Sequence, residues 1–203
     1  MNYSGDKIWL AANRFCRCFP FKHRIFHPTV IPATPTPARE NTLASQEIKD
    51  DLAAACFPNG VLVDFGSGKG RMLLVASEFG FREERGVEFA HELCETARRN
   101  VARYTARTGV AAEFKIIESD AACYAIAADE NVFMMYNPFD ETILGRVLDN
   151  IAASLRKAPR RILIIYVNPR WGRVIEQQAD FVLVHEWVLR GFKFAVYSSR
   201  DSS

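Results

Sequence analysis

A glycine-rich turn between an apolar strand and a helix is the part of this chain whose residues could do chemistry. Residues 61–65 (VLVDF) have the β-branched, apolar character of a central parallel strand, and residues 66–70 (GSGKG) follow directly. Glycines at alternate positions let the backbone approach a ligand where a Cβ atom would collide. About twenty residues after Gly68, Glu88 stands where a carboxylate can accept hydrogen bonds from both ribose hydroxyls. The spacing predicts a site for a ligand that carries a nucleoside.

Three kinds of ligand compete for such a turn. A phosphate-binding loop is excluded, because Gly70 stands where a Mg²⁺-binding hydroxyl is required and the upstream glycine is missing. A dinucleotide loop fits less well, because Arg71 replaces its last glycine. S-adenosylmethionine is favoured by Asp64, since a carboxylate there would repel a pyrophosphate but can face the ammonium of a methionine moiety. An ordinary strand–helix turn would need neither Asp64 nor Glu88 in this register.

Alternating strands and helices must position these residues. Strands are predicted at 60–65, 84–89, 113–119, 131–136, 161–167, 181–189 and 192–198, and helices at 45–56, 70–79, 90–108, 141–157 and 171–178. Only two residues separate the last two strands, which requires a hairpin and hence one antiparallel strand. The pattern predicts a doubly wound α/β fold with a mostly parallel, seven-stranded, Rossmann-like sheet and a C-terminal antiparallel hairpin.

Composition narrows the class of protein. The 203 residues are 49% hydrophobic and 25% charged, which fits a globular core, and the net charge of +2 gives no strong steering field. No apolar run approaches the roughly 18–20 residues of a membrane span, and the start of the chain lacks the pattern of a signal peptide. The five cysteines have no framework spacing. These features predict a cytoplasmic protein with reduced thiols and no membrane association.

The N-terminal region differs from the rest. Residues 1–41 form a basic and aromatic arm that ends in a proline-rich linker, and residues 42–203 are predicted to form the ligand-binding domain. The arm could touch nucleic acid or an acidic partner, but packing of its aromatic rings on the domain is favoured. A cysteine pair and a histidine pair there suggest zinc, at Cys16, Cys18, His23 and His27. The Cys-x-Cys spacing is too short for a zinc knuckle, so no metal site is predicted.

The quoted motifs resemble those of the class I S-adenosylmethionine-dependent methyltransferases, over about residues 45–200. Residues 64–70 match the first motif of that family, residues 86–88 the second and residues 119–121 the third. The first two also resemble those of the non-SET lysine methyltransferases. The resemblance implies S-adenosylmethionine as cofactor, bound through Asp64, Gly66, Ser67, Gly68, Gly70, Glu88, Asp120 and Ala121. In that scheme Glu88 meets the ribose and Asp120 the adenine, although a Ser-Asp-Ala strand end also suits a helix cap.

A second segment resembles the Asp/Asn-Pro-Pro-Tyr/Phe motif of amino-group methyltransferases. Asn137, Pro138 and Phe139 follow the fourth strand, where the strand order of such a sheet should reverse and a crevice should open. The resemblance implies that the polar side chain and a proline carbonyl orient the target nitrogen, while the aromatic ring packs on the substrate. This chain has one proline, not two, so Asn137-Pro138 could also simply end a strand. Asn168-Pro169 repeats the dipeptide after the fifth strand.

The leading hypothesis is therefore an enzyme that transfers a methyl group from S-adenosylmethionine to a nitrogen. A methyltransferase-like protein that binds the nucleoside without turnover is the alternative, because of the single proline. A nicotinamide-dependent oxidoreductase is opposed by Asp64 and the terminal hairpin. The sequence does not distinguish among a protein lysine, a nucleic acid and a small molecule as methyl acceptor, and it leaves the oligomeric state open.

Overall fold

The computed structural model describes residues 60–189 and 191–200. The predicted helix 45–56, the N-terminal arm and its cysteine and histidine pairs lie outside these residues. The strands are β1 Val61–Phe65, β2 Glu83–Glu88, β3 Glu113–Glu118, β4 Glu130–Tyr136, β5 Leu163–Val167, β6 Phe181–Leu189 and β7 Phe192–Ser199. The helices are α1 Arg71–Ala76, α2 His91–Thr108, α3 Glu141–Lys157 and α4 Gly172–Glu176. Short 3₁₀ turns occupy Ser77–Phe79 and Ala121–Cys123.

The seven strands form one sheet in the order β3-β2-β1-β4-β5-β7-β6. The first five are parallel to their neighbours, and β7 runs antiparallel between β5 and β6. The predicted fold class and terminal hairpin are confirmed. The order reverses between β1 and β4, so the carboxyl ends of these two strands must splay their following loops to opposite sides and open a crevice.

Apolar side chains cover both faces of the sheet. All five residues of β1 are buried, which explains why its sequence, apart from Asp64, is apolar rather than alternating. On one face Val63 and Phe65 pack in a core with the buried stripe of α3, formed by Leu144, Val147, Leu148 and Ile151. On the other face Leu62 packs with Leu73 and Ala76 of α1. The two layers hold β1, and therefore the glycine loop that follows it, from both sides.

The ends of the elements differ from the predictions by one or two residues. Strand β4 begins at Glu130 because that side chain is buried in a charge cluster, where Arg85 donates to its carboxylate at 2.7 Å and Arg160 donates to its backbone carbonyl at 2.9 Å. The predicted helix 70–79 is an α-helix of one and a half turns followed by a 3₁₀ turn. Within the described residues no helix has the length and apolar character needed to cross a membrane, and no group of side chains suits a metal ion.

A buried carboxyl group on β2 makes the stability of this sheet dependent on pH. Glu84 is 0% exposed, lies between Leu62 and Phe114 in the strand register, and has no hydrogen-bond partner among the described residues. Burial, followed by the charge of Glu83, raises the pKa of Glu84 from its usual 4.5 to about 8. The folded state therefore keeps this proton at pH values where the unfolded chain releases it.

We expect the free energy of unfolding to fall as pH rises from about 5 to about 8, by up to about 1.4 kcal/mol per pH unit from Glu84. Glu84→Gln should flatten this slope, because its amide cannot ionise. Asp64, described below, contributes in the same direction, so part of the slope should remain. Urea denaturation over this pH range measures the effect, with the exposed Glu92→Gln as control. Equal slopes for wild type and Glu84→Gln would contradict the assignment.

Candidate functional site

The glycine loop is fixed to the end of β2 by backbone hydrogen bonds. The amides of Gly66 and Ser67 both donate to the carbonyl of Val87, at 2.9 and 3.2 Å, and the amide of Gly68 donates to Glu88 Oε2 at 3.0 Å. The other carboxylate oxygen, Oε1, accepts from the amide of Ala90 at 3.0 Å. Glu88 is 6% exposed, so its two oxygens hold the loop and the start of α2 at defined positions. Each oxygen retains a lone pair that can accept from a ligand.

A second buried carboxyl group ends β1. Asp64 is 4% exposed and lies close enough to Glu88 for their charges to interact. Burial and then the charge of Glu88 raise the pKa of Asp64 from 3.8 to about 8. Two carboxyl groups of this kind favour a cation beside them, because a positive charge would relieve both the burial and the mutual repulsion. The electrostatics match the side of the crevice where a ligand ammonium was predicted.

The ends of β2 and β3 bring the third motif beside Glu88. The amide of Ser119 donates to the carbonyl of Glu88 at 2.9 Å. Asp120 is the next residue in the chain and therefore follows this contact directly. Asp120 Oδ1 accepts from the amide of Ala122 at 2.8 Å, so this exposed carboxylate also caps the 3₁₀ turn. Ala121 is buried in the core behind it. Both interpretations of the Ser-Asp-Ala segment are thus compatible with the geometry.

Phe89 was missed as a site residue by the sequence reasoning. As the apolar continuation of β2 it was included in the strand, yet its ring is 79% exposed, the largest exposure among the large hydrophobic side chains that the structure describes. It directly follows Glu88, near the end of β3. An exposed aromatic ring beside a buried carboxylate offers a flat apolar surface for a nucleobase. The signal available in the sequence was an aromatic residue immediately after the acidic end of the second strand.

The Asn-Pro segment after β4 touches the glycine loop. A Cβ atom built on Gly66 would lie 2.5 Å from Pro138 Cβ, so the loop can pass the proline only because Gly66 has no side chain. Asn137 is half-buried and has a positive φ of 43°. Phe139 packs inward, with its ring centroid 6.3 Å from that of Phe65. The structure therefore brings Asn137 and Pro138 to the crevice and places the Phe139 ring against the core.

Two tyrosines tie the Asn-Pro segments of β4 and β5 to each other. The hydroxyl of Tyr166 donates to Asn137 Oδ1 at 3.0 Å, and Asn168 Nδ2 donates to the hydroxyl of Tyr136 at 3.2 Å. Asn168 also has a positive φ, of 50°, and its Oδ1 accepts from the amide of Lys193 at 3.1 Å. Left-handed backbone at a non-glycine residue is strained and persists where its surroundings hold it. Asn168 has its side chain engaged on β7, whereas the amide nitrogen of Asn137 faces no described acceptor.

Comparisons with known proteins agree with the fold. No protein-family model and no curated protein sequence matches this chain. Among solved structures, magnesium protoporphyrin IX methyltransferase from Synechocystis, with bound SAM, is 13% identical with a TM-score of 0.54, over 79% of each chain. A TehB-like SAM-dependent methyltransferase from Corynebacterium glutamicum is 19% identical with a TM-score of 0.52, over 75% of this chain and 87% of that one.

A protein of the NADB-Rossmann superfamily from Streptococcus agalactiae is also similar, at 13% identity and a TM-score of 0.55, over 76% of this chain and 68% of that one. These likenesses confirm the predicted resemblance at the level of the fold: the chain has the Rossmann-like architecture of class I S-adenosylmethionine-dependent methyltransferases. The identities are too low to carry over an acceptor or a catalytic residue.

The contact between Gly66 and Pro138 can be tested by a pair of matched substitutions. Gly66 and Gly68 both have positive φ, of 68° and 55°, but a Cβ atom on Gly68 would meet nothing within 4 Å. The free energy of unfolding of Gly68→Ala should therefore fall only by about 1–2 kcal/mol, the cost of placing an alanine in the left-handed region. Gly66→Ala should lose a further roughly 1–3 kcal/mol through overpacking against Pro138. Urea denaturation of both variants measures the difference. Equal losses would show that the loop and the proline are not in contact.

Proposed function

We propose that this protein is an S-adenosylmethionine-dependent methyltransferase that acts on a nitrogen atom. The single observation that carries the proposal is the pair of buried carboxyl groups, Asp64 and Glu88, at a glycine loop that packs directly on Pro138. The glycine loop and its two carboxyl groups suit a nucleoside that carries an ammonium group, and the Asn-Pro segment opposite them suits an amine. Bound S-adenosylmethionine would supply a methyl group on a sulfonium, the electrophile of an in-line displacement.

The cofactor side of the site is supplied by the first three strands. Asp64 would hold the methionine ammonium, and the free lone pairs of Glu88 would accept from the ribose hydroxyls. The open space over Gly68 would admit the ligand to the loop, and the exposed ring of Phe89 would lie against the adenine. Asp120 Oδ2, which accepts from the thiol of Cys123 at 3.9 Å, has a further lone pair that would accept from the adenine amino group. This arrangement fits the chemistry of the cofactor part by part.

The acceptor side is supplied by the fourth and fifth strands. Tyr166 uses one lone pair of Asn137 Oδ1 and leaves the other for a hydrogen of the target amine. Such a bond would direct the nitrogen lone pair toward the methyl carbon, so catalysis would come chiefly from positioning. The nitrogen–carbon bond forms as the carbon–sulfur bond breaks, and the nitrogen releases its proton to water. The main role of Phe139 in this scheme is to hold the segment on the core rather than to contact the substrate.

The role of Asp64 gives the first test of the function. A ligand ammonium binds the ionised carboxylate, and the pKa of Asp64 without ligand is about 8. The affinity for S-adenosylhomocysteine should therefore rise as pH increases from about 6 to 8, by up to tenfold per unit. Binding of adenosine, which lacks the ammonium, should be nearly independent of pH in this range. Isothermal calorimetry measures both.

Asp64→Asn is the matched variant, since it keeps the shape but cannot ionise. It should weaken S-adenosylhomocysteine binding at pH 8 and remove the pH dependence, while adenosine binding stays close to that of wild type. No detectable binding of either ligand by the folded wild-type protein at millimolar concentration would overturn the proposed function.

Asn137 gives the second test. Once an acceptor is identified by turnover of labelled cofactor, Asn137→Ala should lower kcat by two or more orders of magnitude, equivalent to about 2.7 kcal/mol or more. The affinity for S-adenosylhomocysteine should change less than twofold, because Asn137 acts on the acceptor. Asn137→Asp should be milder, since a carboxylate oxygen can still accept both hydrogen bonds. Near wild-type turnover by Asn137→Ala would show that this segment only ends a strand and takes no part in catalysis.

A further inference from the structure

A cavity of about 470 Å³ lies beside the Asn-Pro segment, between the loop after β5, helix α4 and the strands β6 and β7. Its volume is within the roughly 300–1,000 Å³ of small-molecule sites. Six charged side chains line it, namely Glu141, Arg170, Arg173, Glu176, Glu186 and Lys193. Trp171, Gly172 and Tyr197 form its inner wall. None of these residues belongs to the motifs that the sequence analysis singled out.

The cavity borders the proposed acceptor site. Pro169, at its edge, directly follows Asn168, whose amide donates to Tyr136 next to Asn137. The backbone of Trp171 lies close enough to the hydroxyl of Tyr166 to act on it, and that hydroxyl donates to Asn137 Oδ1. Trp171, which lines the cavity, is thus connected to Asn137 through Tyr166.

The charges of the cavity are balanced and mostly unpaired. Three carboxylates face three cations, and only Lys193 and Glu186 form an ion pair, at 2.6 Å. Arg170 lies over the ring of Trp171, with its guanidinium carbon 5.4 Å from the centroid. Glu141, Glu176 and Arg173 have no ion-pair partner among the described residues. A nucleic acid would meet three carboxylates here and a basic peptide three cations, so a ligand of mixed charge fits better than either.

The hydroxyl of Tyr197 is the strongest sign of a ligand. Tyr197 is 1% exposed, and no described acceptor lies within 3.5 Å of its hydroxyl in hydrogen-bonding geometry, although the Glu176 carboxylate lies close enough to act on it. Burial, and then the nearby carboxylates of Glu176 and Glu186, raise the pKa of Tyr197, so it stays a neutral donor. A Cβ atom on Gly172 would lie 2.8 Å from this hydroxyl, so any larger residue at this position would crowd it. A buried donor without an acceptor is costly unless a ligand oxygen completes it.

We propose that this cavity binds a small zwitterion with an ammonium and a carboxylate on one carbon, as in a free amino acid. The Tyr197 hydroxyl and Arg173 receive the carboxylate, and Glu176 receives the ammonium. The remainder of the ligand extends past Trp171 toward Asn137, where an amine on it would be methylated. Its role as the methyl acceptor rests on the proposed function, whereas its binding rests on the cavity alone.

Ligand-observed NMR of the full-length protein with each standard free L-amino acid in turn tests the proposal, and calorimetry then gives the affinity of those that bind. We expect binding by at least one amino acid, weakened at least tenfold for its methyl ester and for its N-acetyl derivative, since each removes one charge. Tyr197→Phe should weaken binding about fivefold and Arg173→Gln at least tenfold. Arg107→Gln, an exposed arginine on α2, is the control and should leave it unchanged.

The proposal is overturned if no amino acid binds, if ester and N-acetyl derivatives bind as well as the parent, or if Tyr197→Phe and Arg173→Gln bind like wild type. Calorimetry with S-adenosylhomocysteine on the same samples separates the two proposals. Amino acid binding without S-adenosylhomocysteine binding would keep the cavity and reject the methyltransferase function. S-adenosylhomocysteine binding without amino acid binding would reject only the proposal that the cavity binds an amino acid.

Discussion

The glycine loop depends on one buried carboxylate. Glu88 ends β2 and accepts from the amide of Gly68 through one oxygen and from the amide of Ala90 through the other. It thereby fixes the loop after β1 and the start of α2 with a single side chain. Bonds from backbone amides to a carboxylate are stronger than those between neutral groups, which suits a loop that must stay open for a ligand. Because the loop is held in place, Gly66 can pass within contact of Pro138, and the two halves of the sheet meet at one crevice.

The same placement accounts for the unusual electrostatics of the crevice. Buried apolar side chains cover both faces of β1, yet Asp64 lies among them and beside a second carboxylate. An apolar residue at this position would be more stable without ligand. This destabilisation is acceptable if a cationic ligand occupies the site during function. Ligand binding would then regain the free energy that burial of the carboxyl group costs the folded protein. A buried carboxyl group at a ligand cleft would in this way contribute to the free energy of binding a cationic ligand.

Local pattern was enough to predict the sheet and the closeness of the glycine loop to Glu88. A mostly apolar β1, glycines at alternate positions and a carboxylate about twenty residues on are compatible with only a few local geometries, and the structure does bring the loop and Glu88 into contact. The two-residue spacing before β7 likewise required the hairpin. Contacts between distant residues were not predictable. Nothing local indicates that Tyr166 donates to Asn137, that Glu84 lies unpaired between Leu62 and Phe114, or that Phe89 is exposed after a buried strand.

The cavity beside α4 shows why the acceptor is the hardest part of such a protein to infer from sequence. Its lining comes from the start of α3, the loop after β5, helix α4 and the terminal hairpin, which are separated by tens of residues and carry no shared motif. The proposed cofactor site, in contrast, is formed by backbone amides and strand ends that the fold itself requires. Side chains at the cavity are free to vary while the sheet stays unchanged. In our proposal the fold would therefore determine where a ligand and an acceptor meet, and the charges around Tyr197 would determine which acceptor can reach that place.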